Sequence, residues 1–93
     1  MKILAVCGMG VGSSIILKMN IEKALVRLGV PGDVEVADIG TARGAATGVQ
    51  YVVTSGELAP QLGDLSAQIV VIDNFINVDG ITDALQSAFS RTS

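Results

Sequence analysis

The apolar run Ile3-Leu4-Ala5-Val6-Cys7 passes directly into Gly8-Met9-Gly10-Val11-Gly12-Ser13-Ser14 and then into an amphipathic stretch. An unbroken apolar run suits a strand covered on both faces, the position of an inner strand in a parallel sheet. A glycine-rich turn ending on Ser13 and Ser14, both good helix caps, predicts a helix start. The helix is expected from about Ile15 to Leu28. Leu17, Ile21, Ala24, Leu25 and Leu28 share one face at helical spacing, and Glu22, Lys23 and Arg27 lie away from it. Gly29 and Pro31 stop it. Ile15, Ile16 and Met19 fall off the stripe near the helix start, which makes them candidates for exposed apolar surface.

A strand that feeds a helix which must pack back onto it commits the chain to alternation. Val34 to Ala37 reads as a second strand with Asp38 at its end, residues 41–47 as a short helix, and Gln50 to Thr54 as a third strand. Ser55-Gly56 opens a turn, residues 57–63 are expected as a short connection, and Gln68 to Ile72 reads as a fourth strand. Val78, Ile81, Leu85, Ala88 and Phe89 form the stripe of a last helix, with Asn77 as its N-cap. The expectation is an α/β fold: a single three-layer domain over residues 1–93, with an open four-stranded parallel sheet in the order 2-1-3-4 and helices on both faces. In that order the chain reverses direction between strands 1 and 3, and open α/β sheets bind ligands at such a switch point. Cys7 leads into this crevice, and Thr54-Ser55 approach it from the next strand.

Composition narrows the chemistry. The six Lys and Arg are scattered, net charge is -3, and no aromatic platform is present, which argues against nucleic acid. Histidine is absent, which excludes His-based acid–base catalysis and the common metal sites, so neither a metal nor a cofactor is expected. A lone cysteine makes no intrachain disulfide and fits a reducing compartment. Leu4-Ala5-Val6-Cys7 superficially matches a lipoprotein cleavage site, but too few residues precede it for an apolar leader. No apolar run reaches the roughly 20 residues of a membrane span. A cytoplasmic protein without direct membrane insertion is expected.

The glycine loop carries the chemistry. Backbone N–H groups from Gly8 to Ser14 can turn inward and, with the first helix turn, form an anion cradle to which Ser13 and Ser14 add hydroxyl donors. A thiol at a helix N-terminus tends to ionise more readily. The dipoles that stabilise a thiolate on Cys7 would equally stabilise a phosphoryl group attached to it, the logic of a covalent phosphoryl carrier. The plain alternative is that Cys7 is a small buried hydrophobe, as a lone Cys at the end of an apolar strand commonly is. Two neighbouring motifs fail. The Walker loop requires a Lys that is absent, and the dinucleotide fingerprint requires a Gly where Ser13 stands, although Asp38 sits where a ribose-binding acid would.

Cys7-Gly8-Met9-Gly10-Val11-Gly12-Ser13-Ser14, directly after a short first strand, resembles the active-site loop of IIB components of the bacterial phosphoenolpyruvate-dependent sugar phosphotransferase system. It is most similar to the ascorbate-type branch and more distantly to the galactitol and lactose types. The resemblance extends over the whole chain in length and element order. It implies a relay in which a phosphohistidine on a IIA partner phosphorylates Cys7, and Cys7 delivers the group to a sugar bound by a membrane IIC partner. It implies Cys7 as nucleophile, Gly8, Met9, Gly10, Val11, Gly12 and Ser13 as the N–H cradle, and Ser14 as the helix start. Met9 and Val11 occupy the variable positions of the motif. Together with Ile15, Ile16 and Met19 they are expected to form an apolar rim for partner docking.

The loop is also similar to the phosphatase-like P-loop, the C-x5-R loop of low-molecular-weight tyrosine phosphatases, but Ser13 stands where the clamping Arg belongs. Two alternatives remain open at this point. One is a hydrolase of that type, with Asp38 or Asp73 as general acid. The other is a non-catalytic, anion-binding regulatory module. Glu22, Glu35, Glu57, Asp64, Asp79 and Asp83 read as solvated surface, and Tyr51, Phe75 and Phe89 as core.

Overall fold

The first strand, β1 (Lys2–Cys7), is buried from Ile3 to Cys7, as its continuous apolar run requires. A computed structural model describes residues 1–7, 11–63, 65 and 67–92, the side chains of 11–14 and 92 excepted. The elements that follow are α1 (Val11–Leu28), β2 (Asp33–Asp38), α2 (Ala42–Ala45), β3 (Tyr51–Thr54), α3 (Ala59–Leu62), β4 (Gln68–Val71) and α4 (Val78–Thr92). All paired strands are parallel and the sheet order is β2-β1-β3-β4, as expected. Ile3 is opposite Val34 on one side and Tyr51 on the other, so β1 is an inner strand whose ladder groups are met from both directions.

Alternation along β1 divides the core into two layers. Ile3, Ala5 and Cys7 pack with Leu17, Ile21, Ile81 and Leu85 beneath α1 and α4. Leu4 and Val6 pack with Val52, Ala42, Ala46 and Leu62 on the opposite face. The first layer is covered by two long helices. The second is covered by single turns: α2, which buries Ala42, and α3, which buries Leu62. Tyr51 and Phe89 meet edge to face at 5.0 Å, the geometry favoured by the aromatic quadrupole. Phe75 and Phe89 are half-buried against this layer.

The helix ends follow local chemistry. Gly29, at φ 69°, closes α1: its N–H donates to Val26 O at 3.1 Å and the Val30 N–H to Leu25 O at 3.0 Å, the paired bonds of a Schellman stop. Asn77 caps α4 as expected, its Oδ1 accepting the Gly80 N–H at 3.2 Å. Two expectations are corrected. Helix α1 begins at Val11 rather than near Ile15, so Gly12, Ser13 and Ser14 lie inside its first turn instead of preceding it. The first-turn N–H groups need no intrahelical acceptor, so residues of modest helix propensity are tolerated there. Residues 57–63 contain a helical turn, α3, with Pro60 at its first positions, where a missing N–H does no harm. Among the described residues, no helix is long and apolar enough to cross a membrane.

Candidate functional site

The C-terminal edge of the sheet brings Cys7, Asp38 and Thr54 together at adjacent strand ends. Cys7 ends the inner strand β1 and pairs in register with Asp38 of β2. On its other flank, β3 ends at Thr54. Helix α1 starts at Val11, so its N-terminus lies within about 14 Å of Cys7 by chain length alone. The sheet therefore places the cysteine at the switch point, between β2 and β3 and just ahead of the long helix. Gly8, Met9 and Gly10 lie outside the described residues, as do the side chains of Val11, Ser13 and Ser14, so the expected P-loop cradle and the Met9–Val11 part of the rim are not described.

The Cys7 side chain points into the α1/α4 layer and is 3% exposed. The strand parity that puts Ile3 and Ala5 in this layer fixes that direction. The thiol is covered in this state, at the rim of the core rather than open to solvent.

The Asp38 carboxylate is engaged in its own turn. Its Oδ1 accepts the Thr41 N–H at 2.9 Å and the Thr41 hydroxyl at 3.0 Å, which shapes the turn from β2 into α2. Asp73 is exposed and lines a shallow cleft with Ile72, Asn74 and Asn77, between the end of β4 and the start of α4. Thr54 is fully buried. Its hydroxyl donates to Val6 O at 3.2 Å, and its carbonyl accepts the Ile72 N–H at 2.8 Å. Ser55 is half-buried, and its carbonyl accepts the N–H groups of Leu58 and Ala59 at the entry to α3.

Three of the five expected rim residues are described, and all are exposed: Ile15 by 48%, Ile16 by 46% and Met19 by 51%. Val26, which the sequence reading did not single out, is 80% exposed. Ile15, Met19 and Val26 fall on one line of α1, four and seven residues apart, on the side away from the sheet. A shallow groove along this line is walled by Glu22, Lys23 and Arg27, and Arg27 is ion-paired to Asp79 of α4.

Sequence reasoning also passed over Asn20. It is buried, and its Nδ2 donates to Phe75 O at 2.7 Å, tying α1 to the connection between β4 and α4 on the site's own edge. A single amide bordering an apolar helical stripe was the available signal. Among the described residues, no cluster of His, Cys, Asp and Glu could hold a metal ion.

Comparison with known proteins gives this edge its context. Residues 2–87 match the family described as "PTS system, Lactose/Cellobiose specific IIB subunit". The chain is 30% identical over 84 residues to an ascorbate-specific phosphotransferase-system EIIB component of Mycoplasma pneumoniae, covering 89% of this chain and 88% of the relative. It is 30% identical over 70 residues to the component of the same name from Salmonella typhimurium, covering 75% and 69%. Its fold is similar to that of the lactose-specific IIB domain from Streptococcus pneumoniae, with TM-score 0.68, 18% identity, and 100% and 98% of the two chains covered. The chain belongs to the IIB family of the sugar phosphotransferase system.

Proposed function

We propose that this IIB component is a cytoplasmic phosphoryl carrier that works through Cys7. The Cys7 thiolate attacks the phosphorus of a phosphohistidine on a IIA partner. An S–P bond forms, the N–P bond breaks, and the imidazole nitrogen keeps the electron pair. A hydroxyl of a sugar held by a membrane IIC partner then attacks the phosphorus. A P–O bond forms, the S–P bond breaks, the thiolate is regenerated, and the hydroxyl proton passes to solvent. The cradle is assigned to the backbone N–H groups of Gly8, Met9, Gly10, Val11, Gly12 and Ser13, with Ser14 in the first helical turn.

The observation that carries this reading is the position of the chain's only cysteine. It ends the inner strand at the switch point of the sheet, directly ahead of α1, in a member of the IIB family. Ser13, standing where the phosphatase loop carries its clamping Arg, supports a carrier over a hydrolase.

Partner docking is assigned to Met9, Val11, Ile15, Ile16 and Met19, an apolar rim that excludes water from a labile thiophosphate when pressed against another protein. The exposure of Ile15, Ile16 and Met19 supports it. Methionine suits a surface that must meet both a donor and an acceptor.

The test is intact-protein mass after incubation with phosphorylated IIA proteins of the ascorbate, galactitol and lactose types. One added phosphoryl group is expected on the wild-type chain and none on Cys7→Ser. Labelling of Cys7→Ser would overturn the nucleophile assignment. Steady release of phosphate from an aryl phosphate would favour the hydrolase.

A further inference from the structure

We propose that Thr54 is a positioning residue for transfer at Cys7: its hydroxyl fixes the Val6–Cys7 peptide and so aims the cysteine. The inference rests on the reading of Cys7 as the phosphoryl acceptor.

Toward β2, the end of β1 is held by backbone pairing that continues through Val6–Ala37 to Cys7–Asp38. Toward β3, the paired register runs from Ile3–Tyr51 only as far as Ala5–Val53. Beyond it, the Thr54 hydroxyl reaches back and donates to Val6 O at 3.2 Å. That carbonyl belongs to the same planar peptide as the Cys7 nitrogen, so restraining the oxygen restrains the orientation of the Cys7 backbone. Thr54 is itself anchored from the far side by the Ile72 N–H on its carbonyl. One residue thus links three strands at the edge where the acceptor sits.

Packing alone gives no reason for a hydroxyl there. Val52 and Thr54 share one face of β3, and both are fully buried. Valine has nearly the shape of threonine and carries no polar atom into the core. A buried hydroxyl loses its water and must recover a partner; the partner it has is the carbonyl preceding Cys7. Transfer between proteins depends on reacting atoms held in near-attack geometry, where a misplacement of about 1 Å costs roughly a hundredfold in rate. The acceptor must hold that geometry twice, toward the donor and toward the sugar.

The experiment compares Thr54→Val with Thr54→Ser in the full chain, using the IIA protein that labels the wild type. Thr54→Val is expected to lower kcat for phosphoryl acceptance roughly tenfold or more, with the donor KM within about twofold. Reaction of Cys7 with iodoacetamide, read by intact mass, is expected to become faster in the same variant, because the end of β1 is released. Slower transfer from a more accessible thiol separates aim from mere exposure. Thr54→Ser, which keeps the hydroxyl, should restore both values toward wild type, and the melting temperatures should not follow the kinetics. Wild-type kcat and alkylation rate in Thr54→Val, with the wild type labelled normally, would overturn the positioning role and leave the acceptor assignment standing. Failure of every IIA type to label the wild type would overturn both.

Discussion

Replacing Asn20 by Asp inverts one contact without changing its shape. The Asn20 amide donates to Phe75 O across 2.7 Å from a site only 8% exposed. In the variant a carboxylate oxygen faces that carbonyl oxygen, so a hydrogen bond is lost and a charge is left buried against an acceptor. Removing one partner of a buried hydrogen bond costs about 1–3 kcal/mol, more when charge is involved, which puts Asn20→Asp near ~3 kcal/mol at pH 7. For a domain of this length that corresponds to a fall in Tm of roughly 12–24 °C. The penalty applies to the ionised form alone. Protonated, the carboxyl O–H donates to Phe75 O and restores the bond.

A penalty of this size equals a rise of about two units in the folded-state pKa of the new carboxyl, from ~3.9 to about 6. A folded pKa above the unfolded one means that folding takes up a proton. Stability of the variant is therefore best below about pH 4, falls as pH rises through ~6, and is constant above it. Urea unfolding at pH 7 and pH 4, each measured against wild type at the same pH, reads this directly. The gap should be about 3 kcal/mol at pH 7 and nearly closed at pH 4, with equal m-values. A gap below ~0.5 kcal/mol at pH 7, or one independent of pH, would refute the idea that this amide ties α1 to the edge of the site.

Two further outcomes concern the loop and the rim. Met19→Asp should raise the donor KM for phosphoryl acceptance with circular dichroism unchanged, and Met9→Asp should do the same; unaltered kinetics in both would remove the rim. Gly12→Val should slow transfer without lowering Tm. Gly12 lies inside α1, where valine is the better helix former, so a loss of stability would instead make this glycine a packing requirement.

The parts of this fold that repeat a period could be read from the residues. Strand β1 shows as an unbroken apolar run because helices cover both faces, and α4 shows as a stripe because Ile81, Leu85 and Ala88 are all buried on one side. The start of α1 at Val11 is hidden in the sequence because Gly12, Ser13 and Ser14 have the composition of a turn, and composition does not show that a first helical turn needs no acceptors. Helix α3 is a single turn, too short to show a period at all. The cysteine stood out through its loop motif, yet its burial follows from strand parity, which counts Cys7 with Ile3 and Ala5 irrespective of the chemistry at the edge.

The two bonds that fix that edge had no period to betray them. Thr54 reaches Val6 across 48 positions of sequence, and Asn20 reaches Phe75 across 55. Each is a polar group placed among apolar residues of the same element, with a partner that only the topology brings near. Such groups lower stability unless their partners are held in place, so each makes the register of its element matter more than apolar contacts alone would. Apolar contacts are not directional. The bonds of a hydroxyl and an amide to single carbonyls are, and they add to the ladder that already sets the register of β3 against β1 and β4. The proposed carrier role of Cys7 asks for a precisely placed strand end, and the two buried polar ties on β3 and α1 restrain that edge, while the apolar layers supply the bulk of the stability.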